Sequence, residues 1–219
     1  MKTYSPNEIK NIALVGSAGS GKTTLAEAMM YEGGVIPRRG SVSAKNTSSD
    51  YRPVEQEYGS SVFPAVLYAE WKNQKLNFID TPGADDFVGG VISALEVADA
   101  VNAVKGVEVG TEIISRHAKR MNRPVIFVVN QLDHEKANFE QTIEHAKASF
   151  GKKIVLVQYP VNPGNGFNRV VDVLKMEMYK WGPEGGKPEV LPIPDEEKEK
   201  AEELHNILVE AAAENDEKL

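Results

Sequence analysis

Eight consecutive residues, Gly16-Ser17-Ala18-Gly19-Ser20-Gly21-Lys22-Thr23, match the pattern G-x-x-x-x-G-K-[ST] at every required position, and the chemistry they suit is phosphate binding. Glycines let the backbone curl so that successive N–H groups point inward, and a helix that starts where the loop ends offers its positive end to an anion. In such a loop Lys22 reaches the β- and γ-phosphates and the Thr23 hydroxyl sits on Mg²⁺. The competing reading is a Gly/Ser-rich turn that merely joins two elements. The flanks disfavour it, because Ile12-Ala13-Leu14-Val15 reads as a short buried strand and Leu25-Ala26-Glu27-Ala28-Met29-Met30 as a helix.

Two further stretches carry chemistry at the ends of apolar runs. Asp80-Thr81-Pro82-Gly83 closes the run 75–79, and Asn130-Gln131-Leu132-Asp133 closes the run 124–129. Carboxylates and glycines at the carboxyl ends of strands are where open α/β sheets place ligands. Asp80 can hold Mg²⁺, usually through water, and the Gly83 N–H can approach a γ-phosphate because no Cβ stands in the way. Asn130-x-x-Asp133 is close to a guanine-selecting pattern: a carboxylate accepts from the ring N–H and the amino group together, a pair adenine does not offer, while Asn130 braces base and loop. Taken singly, either tetrapeptide reads as a turn. In this order after a phosphate loop, the two read as parts of one nucleotide site.

These residues need a sheet to hold them. Residues 62–71 and 75–79 read as an antiparallel hairpin reversed at Lys72-Asn73-Gln74. Helix over 87–98, strand over 100–104, helix over 110–121 and strand over 124–129 then alternate as a parallel sheet with crossover helices requires. A helix over 138–150 and a strand over 154–158 follow. Between the first helix and the hairpin, residues 33–61 form a Gly/Ser/Asn/Pro-rich stretch far longer than the ~12–15 residues of an ordinary structureless loop, which marks it as functional or disordered. Residues 161–189 hold enough Gly and Pro for only short elements around 170–181. A last helix is expected from Asp195 as N-cap, with Leu204, Ile207, Leu208 and Ala211 on one face.

Composition limits the function classes. The chain of 219 residues is 41% hydrophobic and 26% charged, with no cysteine, which excludes disulfides and thiolate metal sites and suits a reducing compartment. Its 25 basic and 32 acidic residues give a net charge of −7, against a broad grip on nucleic acid. No apolar run approaches a membrane span of ~18 residues, and the first ten residues lack the apolar core of a signal peptide. The expectation is a cytoplasmic protein with no membrane contact and no direct sequence-specific nucleic-acid binding.

With these motifs together the chain resembles the translational GTPases, and within them elongation factor G and its relatives, including ribosomal protection proteins. Glu55-Gln56-Glu57-Tyr58-Gly59-Ser60-Ser61 resembles the family's first switch, Lys105-Gly106-Val107-Glu108 the segment after its fourth strand, and Val170-Val171-Asp172-Val173-Leu174-Lys175-Met176 the start of its G′ insert. The resemblance implies an α/β fold, the P-loop NTPase three-layer sandwich with a mostly parallel sheet, an antiparallel edge hairpin and a small α+β insert. It divides the chain into a GTP-binding domain, residues 1–151, and a partial G′-like insert, residues 152–219, ending in an acidic amphipathic helix. It implies GTP or GDP with Mg²⁺ as cofactors and the ribosome as partner of the full-length factor. Carried over residue by residue, Gly16, Ser17, Ala18, Gly19, Ser20, Gly21, Lys22, Thr23 and Thr24 bind phosphate with Gly83. Asn130, Gln131 and Asp133 bind the base, Thr23, Ser61 and Asp80 hold the metal, and Lys22 serves catalysis.

Four departures accompany the resemblance. Ala84 stands where the family carries the histidine that positions the attacking water, so hydrolysis is expected to be weak. Gln131 replaces the lysine whose stem covers one face of the guanine. Ser61 replaces a metal-reaching threonine but keeps a hydroxyl. The family's Ser-Ala guanine loop is absent downstream of Asn130, so one strand and one helix of the G domain are expected to be missing. The strand missing in that case is the neighbour of 125–129, and the exposed edge should be covered by 154–158 or by another molecule. A nucleotide module without hydrolysis, structural or regulatory in role, is the alternative function.

Overall fold

Strand β1 (Ile9–Val15) alternates between two apolar faces, and each face has a helix to bury it. On one side Leu14 and the half-buried Ile12 pack with Ala26 and Met29 of α1 (Lys22–Glu32) and with Leu76 and Phe78 of β3 (Gln74–Asp80). On the other, Ala13, Val15 and Ile79 pack with Val91, Ala94 and Leu95 of a helix, Val88–Val97, and with Ala118. Two helical layers around one sheet result. Each fully buried leucine contributes roughly 1.5–3 kcal/mol of apolar transfer, so Leu14 and Leu95, both at 0% exposure, are among the main anchors of the two faces.

The computed structural model describes residues 2–104, 116–151, 154–183 and 186–214. Among these, one sheet has five strands in the order β2-β3-β1-β4-β5, with β2 at Ala65–Trp71, β4 at Ala100–Val104 and β5 at Val125–Val128. β1 is parallel to β3 and β4, and β4 to β5. β2 alone runs antiparallel, joined to β3 by a two-residue turn in which Lys72 and Asn73 both have positive φ, as a type I′ hairpin requires. The expected architecture of parallel strands, edge hairpin and covering helices is therefore the observed one. A short helix α2 (Pro53–Tyr58) interrupts the long stretch 33–61, and α3 is the helix Val88–Val97, entered through a 3₁₀ turn, Asp85–Phe87. The segment 105–108 lies outside the described residues, as does 110–115 of the expected helix 110–121, of which 116–120 are helical.

The chain forms two compact units, residues 1–130 and 131–219. The second contains α4 (Phe139–Phe150), capped by the Asn138 side chain accepting from the Gln141 N–H, and a four-stranded antiparallel sheet in the order β6-β7-β8-β9. These strands are short: Gln158–Pro160, Arg169–Asp172, Glu177–Lys180 and Glu189–Leu191. Helix α5 (Asp195–Ala213) is fastened at Tyr159, which is buried, lies under Lys200 and donates its hydroxyl to the Glu197 carbonyl at 3.4 Å.

Three expectations need correction. Residues 154–157 are not a strand; β6 begins only at Gln158 and pairs with β7, so among the described residues β5 has β4 as its one neighbour. The apolar run Ile154-Val155-Leu156-Val157 has strand propensity, but a strand exists only where a partner is in register. Asp195 is not the N-cap: Pro194 takes that place, and Asp195, the first helical residue, pairs with Lys198 at 2.6 Å. Ile207 is exposed, the half-buried face of α5 being Leu204, Leu208 and Ala211 below the buried Ala201. No helix among the described residues is long and apolar enough to cross a membrane.

Candidate functional site

The loop between β1 and α1 is held by its own lysine. Lys22 is buried, and its ammonium donates to the Gly16 carbonyl at 2.8 Å, the Ser17 carbonyl at 2.9 Å and the Ser20 hydroxyl at 3.4 Å. Burial lowers its pKa, with Asp80 and Asp50 acting in the opposite sense. Gly21 caps α1 in the left-handed region at φ 94°, so no side chain competes for the first-turn amides, which are left to an anion. A Cβ at Gly21 would also collide with the Asn130 amide, which donates to the Ser20 carbonyl at 3.0 Å. Asn130 thus braces the phosphate loop.

At the carboxyl end of β3 the oxygens converge. Thr23, one residue into α1, donates its hydroxyl to Asp80 Oδ2 at 2.7 Å and lies 3.3 Å from the Ser61 hydroxyl. Asp80 Oδ1 is buried with no hydrogen-bond partner, and so is Asp50 Oδ1. Burial pushes the Asp80 carboxyl up to about 6 against the Thr23 bond, the neighbouring Ser49 hydroxyl and the Lys22 charge, and it also raises Asp50. Orphaned carboxylate oxygens beside two hydroxyls are a donor set for a hard cation. Mg²⁺ in particular keeps waters and phosphate oxygens and needs only one or two carboxylates, so these residues fit it without the cluster of three or more acidic or histidine ligands that is missing among the described residues.

Downstream of Asp80, the Thr81 hydroxyl and N–H both reach the Leu14 carbonyl, at 2.7 and 3.3 Å, and lock the turn to β1. Gly83 then passes against the phosphate loop so closely that a Cβ would stand 2.6 Å from Ala18 N, Ser17 C and Lys22 Nζ. Ala84 follows in extended backbone as N-cap of the 3₁₀ turn and brings only a methyl group. Gln131 and Asp133 open the second unit in an exposed turn, with Gln131 at φ 58° and its carbonyl accepting from the His134 N–H at 3.2 Å. The structure therefore brings Lys22, Thr23, Ser61, Asp80, Gly83 and Asn130 around one loop within the first unit.

Three acidic residues were given no role by motif reading. Glu27 is buried in α1 and accepts from the Gly40 N–H through Oε2 and the Ser48 N–H through Oε1, pinning residues 40–48. Glu55 of α2 is buried likewise and its Oε1 accepts from the Val62 and Phe63 amides at 3.2 and 3.0 Å, next to Ser61. Asp50 faces the Lys22 charge. For Glu27 a signal existed, since it lies one helical turn after Thr23 on the same stripe as Met30. Asp50 and Glu55 sit in a stretch with no periodicity to place them.

Residues 7–214 match the family described as Elongation factor Tu GTP binding domain. The chain is 37% identical over 215 residues to an elongation factor G-like protein of Thermotoga maritima, covering 96% of this chain and 30% of that protein. It is 34% identical over 225 residues to elongation factor G of Mycoplasma pneumoniae, covering 100% of this chain and 32% of the relative. A crystal structure of a protein from Thermus thermophilus superimposes with a TM-score of 0.89 at 33% identity, over 96% of this chain and 32% of that one. The chain spans about a third of the length of these relatives.

Proposed function

Since the chain belongs to the elongation factor Tu GTP-binding domain family, we propose that it is the nucleotide-binding G domain of an elongation-factor-G-like translation factor, holding GTP or GDP with Mg²⁺ and serving the ribosome within a longer protein. The observation that carries this reading is the convergence of Thr23, Ser61 and the orphaned Asp80 oxygen beside a phosphate loop closed by its own lysine. In this reading residues 1–151 are the G domain and residues 152–219 the G′-like insert.

Each side chain then has a task. The Lys22 ammonium, bonded to loop carbonyls, exchanges them for phosphate oxygens. Gly16, Ser17, Ala18, Gly19, Ser20 and Gly21 offer N–H groups, Thr23 and Thr24 open α1 beneath them, and Gly83 donates from the other side. Thr23, Ser61 and Asp80 hold the Mg²⁺, which supplies neutralisation of phosphate charge. Asp133 accepts from guanine, while Asn130 and Gln131 support it. Ala84 has no group that orients water, so binding outlasts hydrolysis, and positioning is most of what phosphoryl transfer needs. That residue, together with Gln131, also favours a second reading, a nucleotide-binding module whose role is structural or regulatory.

Competition of guanine against adenine nucleotides for the purified protein tests the first reading: GDP should displace a bound guanine nucleotide and ADP should not. Equal displacement overturns it. The two readings separate on Ala84→His in the full-length factor, where ribosome-stimulated GTP turnover should rise at least about tenfold if this position orients water; an unchanged rate means the position has no such role.

A further inference from the structure

We propose that Asn162 is a positioning residue for guanine selection, acting on Asp133 through the loop that joins β6 to β7. The inference rests on the reading of Asp133 as the base-selecting carboxylate. Asp133 is exposed in a turn, so its direction depends on how its backbone is held. Two hydrogen bonds hold it. The His134 N–H donates to the Gln131 carbonyl at 3.2 Å within the turn, and the Gly164 N–H, from the β6–β7 loop, donates to the Leu132 carbonyl at 2.6 Å. The second bond comes from a residue far away in sequence, and it fixes the peptide immediately before Asp133.

Gly164 is buried, and the loop carrying it is closed by two backbone bonds, from the Val161 N–H to the Arg169 carbonyl at 3.1 Å and from the Phe167 N–H to the Gly164 carbonyl at 3.0 Å, and by one amide side chain. Asn162 Nδ2 donates to the Gly166 carbonyl at 2.9 Å and to Asn168 Oδ1 at 3.3 Å, and Asn162 Oδ1 accepts from the Arg169 N–H at 3.1 Å. Asn168 in turn exchanges bonds with Trp181, giving from Nδ2 to its carbonyl at 3.2 Å and taking its N–H on the backbone carbonyl at 2.9 Å. Asn162 therefore ties the loop to the start of β7, and Asn168 ties it to the end of β8. Without the Asn162 amide the Gly166 carbonyl and Arg169 N–H lose their partner and only the two backbone bonds remain, so the loop loosens and the Gly164 donor is no longer fixed on Leu132. Asp133 is then free to turn away from a base, while nothing in the phosphate-binding loop changes.

The test measures GDP and ADP affinity by calorimetry for the full chain and for Asn162→Ala, Asp133→Ala and the double variant. Asn162→Ala should reduce the GDP-over-ADP preference about tenfold, as loss of a supporting hydrogen bond does in other sites, and leave ADP affinity unchanged. In the Asp133→Ala background it should cost nothing further, because the two act on one contact. Hydrogen exchange should show faster exchange at Gly164 with β7 and β8 still protected. An equal fall in GDP and ADP affinity would assign Asn162 a merely structural role, and an unchanged preference with a faster Gly164 amide would overturn the coupling. If Asp133→Ala keeps the guanine preference, the base-selecting reading itself fails. Should Asn162→Ala not fold, Asn162→Asp, which keeps the acceptor for Arg169 and loses the donors, carries the same comparison.

Discussion

Thr23 donates to one oxygen of the Asp80 carboxyl and the other is buried without a hydrogen bond, and burial shifts this carboxyl toward its protonated form in the protein free of nucleotide and Mg²⁺. The folded pKa of about 6 lies above the ordinary carboxylate value. A raised carboxyl contributes stability that is complete below the unfolded pKa and lost as pH rises through the folded one, so the ligand-free protein should lose stability from this group between pH ~4 and ~6. Asp80→Asn should flatten that slope, and it should leave the ligand-free melting temperature at neutral pH unchanged or roughly 2–4 °C higher while abolishing the extra stabilisation by GDP that depends on Mg²⁺. Scanning calorimetry at several pH values, with and without Mg²⁺ and GDP, checks both halves; a lower ligand-free melting temperature would mean that the carboxylate stabilises the fold itself. That Asp80, Thr23 and Lys22 lie together was legible in the sequence, because a phosphate loop followed by a strand-end carboxylate places fixed residue types at fixed spacing. Asp50 and Glu55 were not legible, since a buried acid looks like any surface acid until its surroundings are known.

At the scale of elements, the stretch 40–63 is held by two buried carboxylates, while Val35 before it packs on the apolar core. Glu27 holds the Gly40 and Ser48 amides, and Glu55 holds those of Val62 and Phe63. Glu27→Ala should destabilise the protein by about 2–4 kcal/mol, because charge-assisted bonds are lost and part-buried amides are left unpaired. Hydrogen exchange at Gly40 and Ser48 should accelerate while the amides of β1 and β3 remain protected; unaltered exchange would show that another group orders the segment. The same measurement tests whether the stretch acts as a switch. Its ordering should strengthen when a γ-phosphate and Mg²⁺ engage Ser61, so protection across 40–61 should increase with a non-hydrolysable GTP analogue and less with GDP. Regular elements such as β3 and α4 were readable to within a residue or two from periodicity. The run 154–157 misled for the opposite reason: its propensity is local, whereas pairing is decided by partners, and here the Val157 carbonyl merely accepts from the Val173 N–H at 3.0 Å.

For the molecule as a whole, the parallel architecture follows from the alternation of apolar strands and amphipathic helices, which is why its order could be anticipated. The small antiparallel sheet of the second unit could be read only as short elements, since strands of three or four residues between glycines and prolines leave too few positions for a pattern. The last strand of the five-stranded sheet, β5, carries a prediction of its own. Among the described residues β4 is its sole partner, and Ile126 is 55% exposed. A strand edge left without a partner invites pairing with another chain. The resemblance to translational GTPases implies a strand beside β5, followed by a guanine-contacting loop, and this chain covers about a third of its relatives. A polypeptide extended to include that strand should therefore melt higher and bind GDP about tenfold more tightly, equivalent to ~1.4 kcal/mol, because one base contact is added and one edge is closed. The 219-residue chain alone should self-associate with rising concentration, measurable by sedimentation, and the extended one should not. Equal melting temperature, equal GDP affinity and concentration-independent sedimentation for both would mean that the β5 edge is already protected within this chain.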